Sequence, residues 1–147
     1  MFNFIEPIEM VDAQFSLPYC VALVLLGVET GPAWLNRELF KDKEVLSIGP
    51  RVKIHPDVKS DEIFHNEKRR ISSRVVITTD SGDSFEETVA APRGSPTYPI
   101  SENEITEKYL KMAVPVVGLE NALELKNFIL EIDAQQCVST LSRLISV

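Results

Sequence analysis

Few residues in this sequence are of types that do chemistry, and their spacing excludes most site classes. His55 and His65 lie ten residues apart, with no cysteine or further histidine at metal-ligand spacing. They read as a strand-end and a loop histidine. Cys20 and Cys137 are the only cysteines. Two thiols are too few for a four-thiolate zinc site or a self-contained iron–sulfur cluster. Both fall among apolar helix positions, where a thiol is an inert core filler. A Ser–His–Asp or Cys–His arrangement assembles in space and leaves no spacing to read. No G-x-S-x-G elbow supports one. The glycines never form a phosphate cradle. Lys68-Arg69-Arg70, with Arg74, offers charge for a polyanion, but it lacks interleaved aromatics and reads as a solvated run. Glu86 and Glu87 are strand neighbours pointing to opposite faces, so they cannot serve one reacting centre.

That leaves Tyr19, in the stretch Gln14-Phe15-Ser16-Leu17-Pro18-Tyr19. It places a phenol in the first turn of a helix, where unpaired N–H groups and the macrodipole attract carboxylates. Two readings stay open. Tyr19 orients an anionic substrate or moves a proton, or it is a core tyrosine whose hydroxyl is satisfied locally.

The helix that positions Tyr19 is delimited by Ser16 as N-cap, Pro18 in its first turn and Gly27 as stop. It is apolar on nearly every side, so both faces are expected to be enclosed. Residues 1–16 read as an extended lead-in. A second helix is expected from Pro32 to about Phe40, and a third, capped by Asp42, through Ile48 to Gly49-Pro50. Val52 and Ile54, alternating with Lys53 and His55, predict a short strand. Asp57–Arg70 reads as an irregular connection. Alternation then predicts strands over Ile71–Thr79 and Phe85–Ala91 around Asp80-Ser81-Gly82-Asp83, an antiparallel hairpin. Pro92, Gly94, Pro96 and Pro99 make a stiff loop. Ser101-Glu102-Asn103-Glu104 is a capping box, opening a helix with Glu104–Lys108 and Glu107–Lys111 pairs that should end before Pro115. Leu125, Phe128, Ile129 and Ile132 mark a further helix. Asp133 is expected to cap a last one with Val138, Leu141, Leu144 and Ile145 inward. The class is α+β: a small antiparallel sheet with a central hairpin, packed against several helices.

The 147 residues, 44% hydrophobic and 25% charged, suit one globular domain without a metal or disulfide staple. With 22 acidic and 15 basic residues, the net charge of −7 argues against phosphate-backbone binding. The longest apolar run, Tyr19–Leu26, is well short of the roughly 20 residues a membrane span needs. Glu6, Glu9 and Asp12 precede it and the first basic residue is Arg37, which does not suit a secretory leader. A reduced, cytoplasmic setting is the expectation.

The stretch Asp12-Ala13-Gln14-Phe15-Ser16-Leu17-Pro18-Tyr19-Cys20-Val21-Ala22, running on to Leu26-Gly27, resembles a signature of the MmgE/PrpD family, F-S-x-x-Y-x-x-A followed by a helix ending near Gly. Arg51-Val52-Lys53-Ile54, the Asp80–Asp83 hairpin, Gly94-x-Pro96-x-x-Pro99-Ile100-Ser101 and Lys108-Tyr109 follow in that family's order. The resemblance covers about residues 7–145. It is to the family's C-terminal part, so residues 1–147 are expected to be a single domain without the family's large N-terminal helical domain.

The family includes 2-methylcitrate dehydratase and cis-aconitate decarboxylase. The resemblance therefore implies the C-terminal lobe of a cofactor-free lyase or hydratase acting on 2-methylcitrate-like polycarboxylic acids by general acid–base chemistry. Tyr19 matches the family's tyrosine near the interdomain cleft, a catalytic position. Arg93, beside Gly94, falls in a loop where members carry basic residues, and is expected to bind a substrate carboxylate. The principal acid and base would lie elsewhere, leaving the chain inactive alone. Its implied partners are a small polycarboxylate in the complete enzyme and either a second copy or a separate helical-domain chain, with no nucleic acid and no membrane. The competing reading is a non-catalytic oligomerisation or partner-binding module.

Overall fold

In the computed structural model, which describes residues 6–66, 70–135 and 137–145, Ser16 separates two helices. The expected extended lead-in is partly helical instead, with α1 over Met10–Phe15. The Asp12 carboxylate accepts hydrogen bonds from the Ile8 and Glu9 N–H groups, at 3.1 and 3.0 Å. That bond pattern starts a turn too short for periodicity to reveal. Helix α2 spans Leu17–Leu25, and Ser16 Oγ accepts from the Tyr19 N–H at 3.2 Å, as a capping serine should. Its end is a Schellman motif: Val28 N–H reaches the Leu23 carbonyl, Gly27 N–H reaches that of Val24, and Gly27 has φ 71°.

Tyr19, Ala22 and Leu23 are the buried stripe of α2, and they meet Ala13, Phe40 and Val45 in one core. Full enclosure of this helix is not what the chain provides, since Leu17, Val24 and Leu25 are about half exposed, at 48%, 59% and 49%. The single helix expected from Pro32 is two 3-10 turns, Pro32–Leu35 and Leu39–Lys41. Asn36 Oδ1 accepts the Glu38 N–H between them, diverting the backbone from the helical ladder. Helix α3 spans Lys43–Ile48, with Asp42 Oδ1 accepting from Glu44 and Val45 N–H groups. Val52–Ile54 is not a strand. It lies between a 3-10 turn, Gly49–Arg51, and Pro56, without a ladder partner among the described residues.

The chain divides into two compact units, residues 1–55 and 56–147. The second opens with α4, Val58–Asn66, where an irregular connection was expected. Asp57 accepts both the Ser60 N–H and its hydroxyl, at 3.1 and 2.9 Å. A charged sequence hid this helix, which buries none of its residues. The hairpin is as read: β1, Ser73–Thr78, pairs antiparallel with β2, Ser84–Val89, from Ser73 opposite Val89 to Thr78 opposite Ser84. Every strand residue is exposed, so the expected helical cover over the sheet is not seen among the described residues.

Helix α5, Glu102–Val117, begins at the Ser101–Glu104 capping box and continues through Pro115 rather than stopping before it. Pro115 stands in the last turn, where it forgoes its i→i−4 bond but only two helical residues follow it. Gly118, at φ 80°, then sends the chain directly into α6, Leu119–Leu130. The Tyr109 hydroxyl donates to the buried Ala122 carbonyl at 2.9 Å, locking α5 to α6. Asp133 sits inside a 3-10 turn, Ile132–Ala134, and does not cap α7, Ser139–Ile145. Of the apolar residues expected inward there, Leu144 is buried, whereas Val138 and Ile145 are exposed. Among the described residues, seven α-helices and one two-stranded antiparallel sheet make the α+β class expected. No helix among the described residues is long and apolar enough to cross a membrane.

Candidate functional site

Tyr19 is held at both ends. Its N–H is spent on Ser16, and its hydroxyl donates to the Trp34 carbonyl at 2.7 Å. Trp34 is fixed in turn by its indole N–H on the Val28 carbonyl, at 3.2 Å. The Tyr19 ring meets Phe40 edge-on, with centroids 5.6 Å apart. The residue is 1% exposed. Burial, and secondarily the charge of the neighbouring Cys20, pushes the Tyr19 phenol up to about 12. At neutral pH it is therefore a protonated group whose donor is committed to the Trp34 carbonyl.

Beyond Phe40 lies an open pocket of about 680 Å³, lined by Glu6, Pro7, Ile8, Glu9, Arg37, Glu38, Phe40, Lys41 and Leu46. Tyr19 does not line it; the Phe40 ring stands between. Arg37 pairs with Glu9 at 2.7 Å. Three carboxylates against two cations make this pocket a poor host for a polycarboxylate, because substrate would meet like charge.

Arg93 belongs to the other unit. It sits in the loop before α5, where Gly94, at φ 90°, donates its N–H to the Tyr98 carbonyl at 2.7 Å. Its guanidinium pairs with the Glu104 carboxylate. The other oxygen of Glu104 accepts the Ser101 N–H and hydroxyl, both at 2.8 Å. The i,i+3 spacing of the capping box was legible, but the Arg93 partnership was not. The Trp34 partner of Tyr19 left no signal either, because a backbone carbonyl has no sequence identity.

His55 and His65 are both exposed, in different units, and the His65 ring packs edge-on against Phe64. Glu86 and Glu87 stand on opposite faces of β2, and Arg74 pairs with Glu86 at 3.5 Å. Of the basic run, Lys68 and Arg69 lie outside the described residues. Cys20 is half buried and its thiol donates weakly to the Ala13 carbonyl at 3.6 Å, with burial pushing its pKa up. Cys137 is not the core filler expected. It is exposed ahead of α7, and hydrogen bonds with Ser139 lower its pKa.

The all-helical first unit holds the sequestered phenol, and the second, with the hairpin and the remaining helices, holds the paired arginine. The family whose pattern matches is the MmgE/PrpD C-terminal domain, over residues 4–134, and the chain belongs to it. A cis-aconitate decarboxylase-like protein, oryM, of Aspergillus oryzae is 35% identical over 74 residues. The matched segment is 50% of this chain and spans 15% of that relative's length. The relationship is one to lyases and dehydratases at the level of the family.

Proposed function

We propose that the chain is the C-terminal lobe of a cofactor-free lyase or hydratase acting on 2-methylcitrate-like polycarboxylic acids in the cytoplasm. The observation that carries this reading is the MmgE/PrpD C-terminal match, which runs across both compact units. The two units act together as one lobe over residues 1–147, forming part of the wall of a reaction chamber. Tyr19 contributes as a positioning or proton-donating phenol, by turning its hydroxyl from the Trp34 carbonyl to the substrate. Arg93 binds a substrate carboxylate by exchanging Glu104 for it. An exposed ion pair is worth only about 0–1 kcal/mol, so the exchange meets little resistance. The principal acid and base come from outside these residues, and the chain alone is inactive.

The test is direct. The purified chain should dehydrate no 2-methylcitrate and decarboxylate no cis-aconitate, while a complete enzyme containing it should turn over one of them. Robust turnover by the chain alone would sink the incomplete-lobe reading. The competing reading, a non-catalytic oligomerisation or partner-binding module, is favoured by the exposure of every residue in both strands. It predicts no turnover in any reconstituted setting.

A further inference from the structure

Glu104 divides its carboxylate between two tasks. One oxygen, Oε2, accepts the Ser101 N–H and hydroxyl, both at 2.8 Å, while Ser101 Oγ accepts the Glu104 N–H at 3.3 Å. These bonds cap the 16-residue helix α5 and pin the side chain at its start. The other oxygen, Oε1, takes the Arg93 guanidinium. Arg93 is carried in turn by a stiff loop. Ser95 donates its N–H to the Pro92 carbonyl at 3.2 Å, and Ser95 Oγ accepts the Tyr98 N–H at 3.2 Å.

A substrate carboxylate that replaces Glu104 on Arg93 therefore leaves Glu104 standing beside it. The cap bonds hold the side chain while Oε1 loses its cationic donor. An acid that brings carboxylates alone sets a negative group against that oxygen, and like charges repel. An acid with a hydroxyl on the carbon that bears the carboxylate brings a donor as well. Its carboxylate takes the guanidinium and its hydroxyl donates to Oε1, a charge-assisted bond stronger than a neutral one. A site that leaves an acceptor unpaired when the hydroxyl is missing selects against the analogue without it. The Arg93 and Glu104 side chains are 63% and 38% exposed, so water tempers the difference. The preference should be roughly three- to tenfold, far short of what a buried site achieves.

We propose that Glu104 is a specificity-determining residue: with Arg93 it reads a 2-hydroxycarboxylate, so this lobe favours the hydrated acid that a dehydratase consumes over the unsaturated acid that a decarboxylase consumes. The inference rests on the reading of Arg93 as a carboxylate-binding residue and names the substrate of that same site. Glutamine is the discriminating replacement at position 104. Its amide oxygen can keep the bonds to Ser101, since Gln also serves at this position of a capping box. That choice sets the NH2 group where Oε1 stood, so the acceptor for a substrate hydroxyl becomes a donor suited to a bare carboxylate.

The probes are citrate and propane-1,2,3-tricarboxylate, which carry the same carboxylates and differ by a single hydroxyl. Titrated into the purified chain at matched ionic strength and followed by nuclear magnetic resonance, citrate should bind roughly three- to tenfold more tightly than the acid without the hydroxyl. Glu104→Gln should bring that ratio to unity or invert it, with unchanged far-ultraviolet dichroism, and Arg93→Ala should weaken both acids together. Equal binding of the two acids to the wild-type chain, or a ratio that survives Glu104→Gln, overturns the role of Glu104 while leaving Arg93 standing. Binding indifferent to Arg93→Ala, or no binding of either acid into the millimolar range, overturns the Arg93 reading and this inference with it.

Discussion

Replacing Tyr19 by Phe removes one oxygen from the core of residues 1–55 and separates the two roles open to this residue. The lost bond is the 2.7 Å donation to the Trp34 carbonyl. A buried neutral hydrogen bond contributes about 1 kcal/mol net, and stranding its acceptor adds to that cost. Trp34 is only partly buried, so water reaches its carbonyl and the total should be about 1–2 kcal/mol. Trp34 is also the sole tryptophan, so its fluorescence reports on this unit alone. With a urea slope of about 1 kcal/mol per molar for so small a body, the midpoint should fall by about 1–2 M. The pH dependence supplies a second reading. The phenol ionises near 10 when unfolded and about 12 when folded. The folded state keeps its proton longer, so stability present below pH 10 is lost as pH rises toward 12, by up to roughly 2–3 kcal/mol. Phe has nothing to titrate, and the gap between wild type and variant should therefore close across that window. A gap that is negligible at neutral pH, or constant from pH 8 to 12, would refute the claim that burial and the Trp34 bond hold this hydroxyl.

In a complete enzyme, the same Tyr19→Phe change should lower kcat at temperatures where the variant stays folded; an unchanged rate would leave Tyr19 with its structural task alone. Arg93→Ala should raise KM for a polycarboxylate while shifting the thermal midpoint of the chain little, because an exposed pair contributes about 0–1 kcal/mol. A large loss of stability with unaltered KM would make it a structural residue of the loop. Asp42→Ala should cost about 1 kcal/mol, read by Trp34 fluorescence in urea, since it frees the Glu44 and Val45 N–H groups at the start of α3. Gly118→Ala should cost about 1–2 kcal/mol in calorimetry of the chain, because φ 80° is strained for any residue with a Cβ.

What the sequence disclosed depended on whether a signal was local. Ser16, Pro18 and Gly27 bound α2 because caps and stops act within four residues. The same holds for Ser101 with Glu104 and for Asp42. The hairpin was legible because β-branched alternation and an acidic Gly turn are both short-range features. Helices α1 and α4 were hidden. One is six residues long, and the other is polar enough that its Asp57 cap, rather than an apolar stripe, identifies it. Pro115 misled for a positional reason: near a C-terminus, a proline ends little. Tyr19 was singled out by helix position, yet its partner, a carbonyl fifteen residues on, carries no residue type. The Arg93–Glu104 pair depends on how a proline-rich loop folds back on α5, which spacing does not encode.

The division between satisfied and unsatisfied groups says what this lobe contributes. Three polar side chains are spent internally: Ser16 on the Tyr19 backbone, Tyr19 on Trp34, and the half-buried Tyr109 on Ala122. Such groups set shape and leave little to reaction. Its two imidazoles are both exposed and lie in different units. The apolar side chains of β1 and one face of α2 remain uncovered, and a chain of this length has the means to cover more. Selection for solubility of a lone domain would have placed charge at Val24, Leu25, Val75 and Ile77, since exposed apolar patches promote association. Their retention makes sense if those faces are buried in the working assembly. On the proposed reading, a chamber wall supplies surface while other chains or domains supply the acid and base.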